Sequence, residues 1–153
     1  MAQPLTFPST TAHFALPLLF AGQAQKEMTL NQAIAMVDAL LRGSTAGSSN
    51  SPPADPAEGA IYRITPTASD AWLGKEDHLA IFIADTWQFV APLAGMRLYD
   101  IADGKLMLFD TEWKSADDLA VPQGGSVIDI EARSLLADLI EQLKKVGIFS
   151  NLS

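Results

Sequence analysis

The clearest pattern of apolar and polar positions lies near the end of the chain, where Ala132, Leu136, Leu139, Leu143 and Val146 recur at alternating intervals of four and three. That 3.5-residue mean period predicts an amphipathic helix over residues 129–146 with a narrow seam, the geometry that packs best against an equivalent helix. The seam covers barely two and a half heptads, and Leu135 and Ile140 widen it, which excludes a long free-standing coiled coil. Two readings stay open: the seam joins copies of the chain, or it docks on the chain's own sheet. Asp129 is the expected N-cap, Glu131 lies in the first turn, Lys144 and Lys145 in the last, and Gly147 is the expected stop. Acid at the start and base at the end complement the helix dipole.

A second helix is expected at about residues 30–42. Thr29 and Gln32 fit a capping box, Leu30, Ile34, Val37 and Leu41 recur on one face, and Gly43 supplies the stop. Before it, residues 2–12 are rich in Pro, Ser and Thr without a period and are expected to be extended or wrapped on a neighbour. The apolar run Phe14 to Phe20 contains Pro17, which leaves an edge strand or a buried extended segment. Residues 43–58, GSTAGSSNSPPADPAE, have the small, polar, proline-bearing composition of a linker or loop.

From Gly59 the period changes. The runs AIYRI, HLAIFIA, TWQFVA, MRLYDI and KLMLFD are short and bounded by Gly, Asp or Pro, and their connections are too short for crossovers, so mostly antiparallel strands are expected. Ala84-Asp85 and Asp103-Gly104 mark hairpin turns. IFIADTW at residues 81–87 weakly echoes MLFDTEW at residues 107–113, either as two related hairpins or as two ordinary ones. The expected fold is α+β: an N-terminal extended arm and helix (1–43), a polar linker (44–58), a small antiparallel β module with hairpins (59–121) and a C-terminal amphipathic oligomerisation helix (122–153).

Composition narrows the functional classes. The 153 residues are 48% apolar, enough for one real core. Ten Lys and Arg against eighteen Asp and Glu give a formal charge of -8 without a basic cluster, which argues against nucleic-acid binding. No apolar run is long enough for membrane insertion, and the first residues lack a basic head and a cleavage site, so folding in the cytoplasm is expected. The absence of cysteine removes disulfides, thiolate zinc sites and cysteine nucleophiles.

Candidate chemistry is sparse. His13 and His78 have no ligand companion at metal-binding spacing and read as loop or surface histidines. The acid pairs Glu76-Asp77 and Asp117-Asp118 are adjacent in sequence and read as solvated charges rather than a facing dyad. Neither a nucleophile-elbow nor a phosphate-loop motif occurs, so no enzyme, cofactor or metal is expected. Trp72, Trp87 and Trp113 are candidate glycan contacts, since flat aromatic faces stack on sugar rings; the competing reading is that they fill the core or clamp hairpins.

Residues 16–41, LPLLFAGQAQKEMTLNQAIAMVDALL, combine a leucine/proline start, an AGQAQK core, an Asn-Gln-Ala step and an Asp-Ala-Leu ending. This segment resembles the opening of an uncharacterised domain of tail-fibre and spike proteins from bacterial prophages and gene transfer agents. The resemblance continues through SPPADPAEGAIYRI, Trp72-x-Gly74, the strand around Ile81 with Trp87, the stretch from Pro92 to Met96, and FDTEW at residues 109–113. DIEAR at residues 129–133 is similar to a short helical tail of small phage structural proteins.

The resemblance implies a structural component of a virion or virion-like particle, assembled in the bacterial cytoplasm. It would be a fibre, spike or fibre-attachment protein that self-associates, with a trimer favoured, and contacts other proteins of a tail or capsid. The family brings no catalytic residues. Leu136, Leu139, Leu143 and Val146 are the expected oligomerisation residues, and Gly22, Gln23, Gln25 and Lys26 are the candidate docking surface that the resemblance adds. A carbohydrate-binding module for host surface glycans is the alternative.

Overall fold

The computed structural model describes residues 10–19, 27–117, 119 and 129–149. Among the described residues, two helices and eight strands in two mostly antiparallel sheets form the expected α+β fold. In chain order these are α1 (Glu27–Leu41), β1 (Ser44–Thr45), β2 (Gly47–Ser49), β3 (Ile61–Ile64), β4 (Leu79–Ile83), β5 (Thr86–Val90), β6 (Arg97–Asp100), β7 (Lys105–Phe109), β8 (Trp113–Ser115) and α2 (Ile130–Lys145). The pattern that groups residues 59–121 into one β module is divided in space. Two compact units form, Met1–Pro92 and Leu93–Ser153, and the strands after Pro92 belong with α2.

In the first unit the sheet order is β2-β3-β4-β5. β4, LAIFI, is an unbroken apolar run and sits centrally, antiparallel to β3 and β5. Ile61, Ile64, Leu79, Ala80 and Ile81 are all buried, so both faces of the sheet are covered along this strand. β4 and β5 turn at Ala84-Asp85, where both residues have positive φ (48° and 58°), as a two-residue hairpin requires. Neither residue is glycine, and the Glu58 carboxylate offsets part of that strain by accepting the Ala84 N–H at 3.1–3.2 Å.

The segment expected to be a polar linker contributes both β1 and β2. Gly47, Ser48 and Ser49 pair in parallel with Tyr62, Arg63 and Ile64. The fully buried Thr45 hydroxyl lies 2.8 Å from the carbonyl oxygens of Gly47 and Ile61 and donates to one of them. Small side chains admit close backbone approach, and main-chain pairing to a buried strand supplies the order that side-chain hydrophobicity does not.

α1 also departs from its expected limits. It begins at Glu27, so Thr29 lies inside the helix rather than at its cap. Leu30, Val37 and Leu41 are exposed, while the buried positions are Asp38 and Ala39. Asp38 explains the orientation. Its carboxylate accepts the His13 N–H and the Phe14 N–H, each at 2.8 Å, and so fastens the turn at residues 12–14 onto the helix. On the same side, Asn31 accepts the Leu19 N–H and donates to the Leu19 carbonyl. The run through Pro17 is therefore a clamped turn with a single Thr10–Pro17 bridge, and Phe14 is exposed. Gly59 completes the clamp: its φ is +75°, and a Cβ there would lie 2.7 Å from the Ala12 Cβ.

In the second unit β6, β7 and β8 form consecutive antiparallel pairs. The Asp100 carboxylate accepts the N–H groups of Ala102 and Asp103 and shapes the turn between β6 and β7. α2 has the expected ends. Asp129 caps it by accepting the Ala132 N–H at 2.9 Å, and Gly147, with φ +76°, terminates it. The Gly147 carbonyl then accepts the Leu106 N–H of β7 at 2.6 Å. Among the described residues of this unit, Leu98, Met107, Ile140 and Phe149 are the buried apolar ones.

Burial alone pushes the Asp38 pKa up, but the hydrogen bonds from the His13 N–H, the Thr11 hydroxyl and the Phe14 N–H, with the charge of His13, hold the carboxyl below its ordinary value. A lowered folded-state pKa contributes stability that is complete above the unfolded pKa of about 4 and is lost as pH falls through the folded pKa. Asp38→Asn is expected to cost about 2 kcal/mol at neutral pH in urea unfolding, with the gap to the parent closing below about pH 4. Gly147→Ala is a second check: its Cβ would lie 2.9 Å from the Tyr99 ring, whereas Gly43, also at positive φ, has open space. Gly147→Ala is expected to lower the unfolding midpoint clearly more than Gly43→Ala, whose cost is about 1 kcal/mol of backbone strain.

Candidate functional site

Position along α2 decides which side chains face inward. At about 100° per residue, Ile140 points in the same general direction as the half-buried Arg133, Ala137 and Lys144. The predicted seam lies to one side of that direction: Leu136, Leu143, Ala132, Leu139 and Val146 occupy a neighbouring arc that Leu135 extends. Leu139 is 51% exposed, Val146 62% and Leu135 69%; Leu136 is exposed and Leu143 half-buried. The helix thus spends Ile140 on its own unit and leaves the heptad stripe largely open.

α1 repeats the arrangement. Leu30, Ile34, Val37 and Leu41 are spaced four, three and four, and Val37 and Leu41 are 51% and 65% exposed. Asp38 and Asn31, about a quarter turn round the helix, are drawn inward, so Leu30, Val37 and Leu41 are left open while Ile34 is half-buried. The sequence predicts only that these residues share one face. The spacing was legible, but the polar side chains that oriented the helix were not.

The tryptophans are placed differently from one another. Trp72 is fully buried, with Ile64, Ala68 and Ala80, so it offers no ring face to a sugar and is withdrawn as a glycan contact. The 3-10 turn Asp70–Trp72 carries it inward, and its indole N–H has no hydrogen-bond partner among the described residues. Trp87 packs on the same core, edge-on to Trp72 at 5.1 Å between ring centroids. Trp113 is half-buried against Phe109 at 5.2 Å. The two hairpins that echo each other in sequence share this device: Phe82 faces Trp87 across β4 and β5, and Phe109 faces Trp113 across β7 and β8. Each aromatic pair closes its hairpin beside the turn.

The titratable groups are tied to structure. The Nε2 of His13 lies 2.8 Å from the Gly59 carbonyl, and the Nδ1 of His78 lies 3.0 Å from the Glu76 carbonyl, so each ring donates to backbone. Among the described residues no group of three or more His, Asp or Glu is placed to hold a metal ion, and no helix is long and apolar enough to cross a membrane. A cavity of about 950 Å³ in the first unit is lined by Thr10, Leu18, Gln32, Glu58, Thr86 and Gln88, among others. The candidate docking residues Gly22, Gln23, Gln25 and Lys26 lie outside the described residues.

Fold and surface together define a small α+β protein of two units, each bearing one helix with an open apolar stripe. The chain belongs to the family described as a protein of unknown function, DUF2793, whose sequence model matches residues 30–114, more than half its length. The match takes in the α1 stripe, the sheet of the first unit and nearly all of β6 to β8; α2 lies beyond it. No curated protein matches the chain.

Burial separates the tryptophans experimentally. Trp72→Ala is expected to cost about 3–5 kcal/mol in unfolding free energy, as other large core truncations do. Trp113→Ala is expected to cost less, and acrylamide is expected to quench Trp113 more readily than Trp72 when each is the only tryptophan retained.

Proposed function

We propose that this chain is a non-catalytic structural component of a phage or phage-like particle, a fibre, spike or fibre-attachment protein that associates with copies of itself and mediates particle assembly or host attachment. The observation that carries the reading is the α2 stripe: Leu136, Leu139, Leu143 and Val146 keep heptad spacing yet lie beside, not within, the side of the helix that the second unit buries. An alternating four-three spacing is complementary to an equivalent helix, because knobs at that period fit the holes of a matching seam. The partner that this face fits is therefore another copy. The resemblance to tail-fibre and spike proteins supports the particle context, in which trimers are common.

Magnitudes favour more than a pair of helices. Completing the burial of four half-exposed side chains is worth about 1 kcal/mol each, half of a typical full burial. Two α2 helices then gain about 8 kcal/mol against an association cost of about 4–15 kcal/mol. A third helix, or the stripe on α1, moves the balance toward a stable assembly. The glycan-binding alternative retains Trp87 and Trp113 but loses Trp72, the most buried of the three.

Light scattering coupled to size exclusion tests the reading. The parent chain is expected at three times its 16.4 kDa mass across a concentration series. Leu139→Glu is expected to elute at the single-chain mass with an unchanged circular dichroism spectrum. A single-chain mass for the parent at every concentration, or a folded Leu139→Glu variant that keeps the parent's mass, overturns self-association through this face.

A further inference from the structure

The second unit holds a cavity of about 440 Å³, within the range of about 300–1,000 Å³ typical of small-ligand sites. Its walls include Leu106, Met107, Leu108 and Ile148, and two cations, Arg97 and Lys114, stand among them. Strand register explains how they meet. Arg97 of β6 pairs with Leu108 of β7, and Leu108 pairs with Lys114 of β8, so the three form one row across the sheet on the same face. With strands about 4.8 Å apart, the two cationic residues straddle Leu108 with their Cα atoms about 10 Å apart. Leu106, two residues along β7, extends the apolar floor on that face. The hydrogen bond from the Leu106 N–H to the Gly147 carbonyl sets Ile148 against it.

We propose that this cavity binds an anionic amphiphile, a ligand with an apolar body and one carboxylate head. The argument is charge complementarity over an apolar floor. In a chain of net charge -8, two of the ten Lys and Arg residues flank this one leucine. Arg97 has no ion-pair partner among the described residues, and its planar fork suits bidentate binding of a carboxylate. Lys114 meets Asp110 at 3.5 Å, an exposed pair that a ligand carboxylate displaces at little cost. Leu106 and Leu108, each partly exposed, offer the apolar body a floor beside both cations. A cationic amphiphile of the same length meets the same floor but two like charges. The site is independent of the α2 stripe, so the two readings stand or fall separately.

The test is titration of the full chain with sodium decanoate below its micelle concentration, followed by calorimetry and methyl NMR, with decyltrimethylammonium as the like-length cation. Decanoate is expected to saturate one site per chain, to shift the Leu106 and Leu108 methyl signals, and to bind at least about tenfold more weakly to Arg97→Gln/Lys114→Gln. Arg97→Lys, which keeps the charge but loses the bidentate fork, is expected to weaken binding less than the double variant does, and decyltrimethylammonium is expected to leave those methyls unmoved. The proposal is overturned by no saturable binding at millimolar decanoate, by equal affinity in the folded double variant, or by equal binding of the cation. Shifts confined to the Leu136 and Leu139 methyls also overturn it, since they place the ligand on the α2 stripe.

Discussion

The first unit depends on a buried carboxylate. Asp38 accepts two backbone N–H groups from the turn at residues 12–14, and that turn meets Gly59 through the His13 ring. One side chain on α1 thereby joins the N-terminal turn, the helix and the residues leading into β3. A buried carboxylate without these donors would be costly, so each constrains the others. The orientation of α1 follows: the side that carries Asp38, Asn31 and Ala39 faces the unit, and the apolar stripe is left facing away. Polar satisfaction has here overridden hydrophobic periodicity, because an unpaired buried charge costs more than the exposed Leu30, Val37 and Leu41 forgo.

The parts of the fold legible in the sequence are those set by local chemistry. The ends of α2 follow from Asp129 and Gly147, each acting within a turn of its own position. The two-residue turn at Ala84-Asp85 and the central strand LAIFI are readable for the same reason. What was not legible depends on remote partners. β2 looks like linker because its residues are small and polar, yet its pairing with β3 uses the backbone, which composition does not report. Whether Trp72 fills the core or meets a ligand stays open in the sequence because nothing near it announces the 3-10 turn that carries it inward. The division after Pro92 separates strands that share one alternation pattern.

The candidate surfaces divide along the same line. Heptad spacing on both helices was visible from sequence, whereas which stripe faces solvent was decided by Asp38 in one unit and by Ile140 and the end of α2 in the other. The cationic row at Arg97, Leu108 and Lys114 had no sequence signal at all. Its members lie on three strands and become neighbours only through register. A one-residue slip of β7 would send Leu108 to the opposite face and dissolve the row.

Gly147 gives the second unit a mechanical property. Its carbonyl is bonded to β7 and its α-carbon sits where a methyl group would strike Tyr99, so the chain leaves α2 at one fixed point and at one fixed angle. Each residue of helix turns through about 100°, so an anchor displaced by a single residue would swing the leucines through more than a quarter turn. The glycine thus acts as an indexing pin, setting the bearing of the apolar stripe around the helix axis. Lengthening or shortening the chain between Leu143 and Gly147 would re-aim that surface without altering one residue on it.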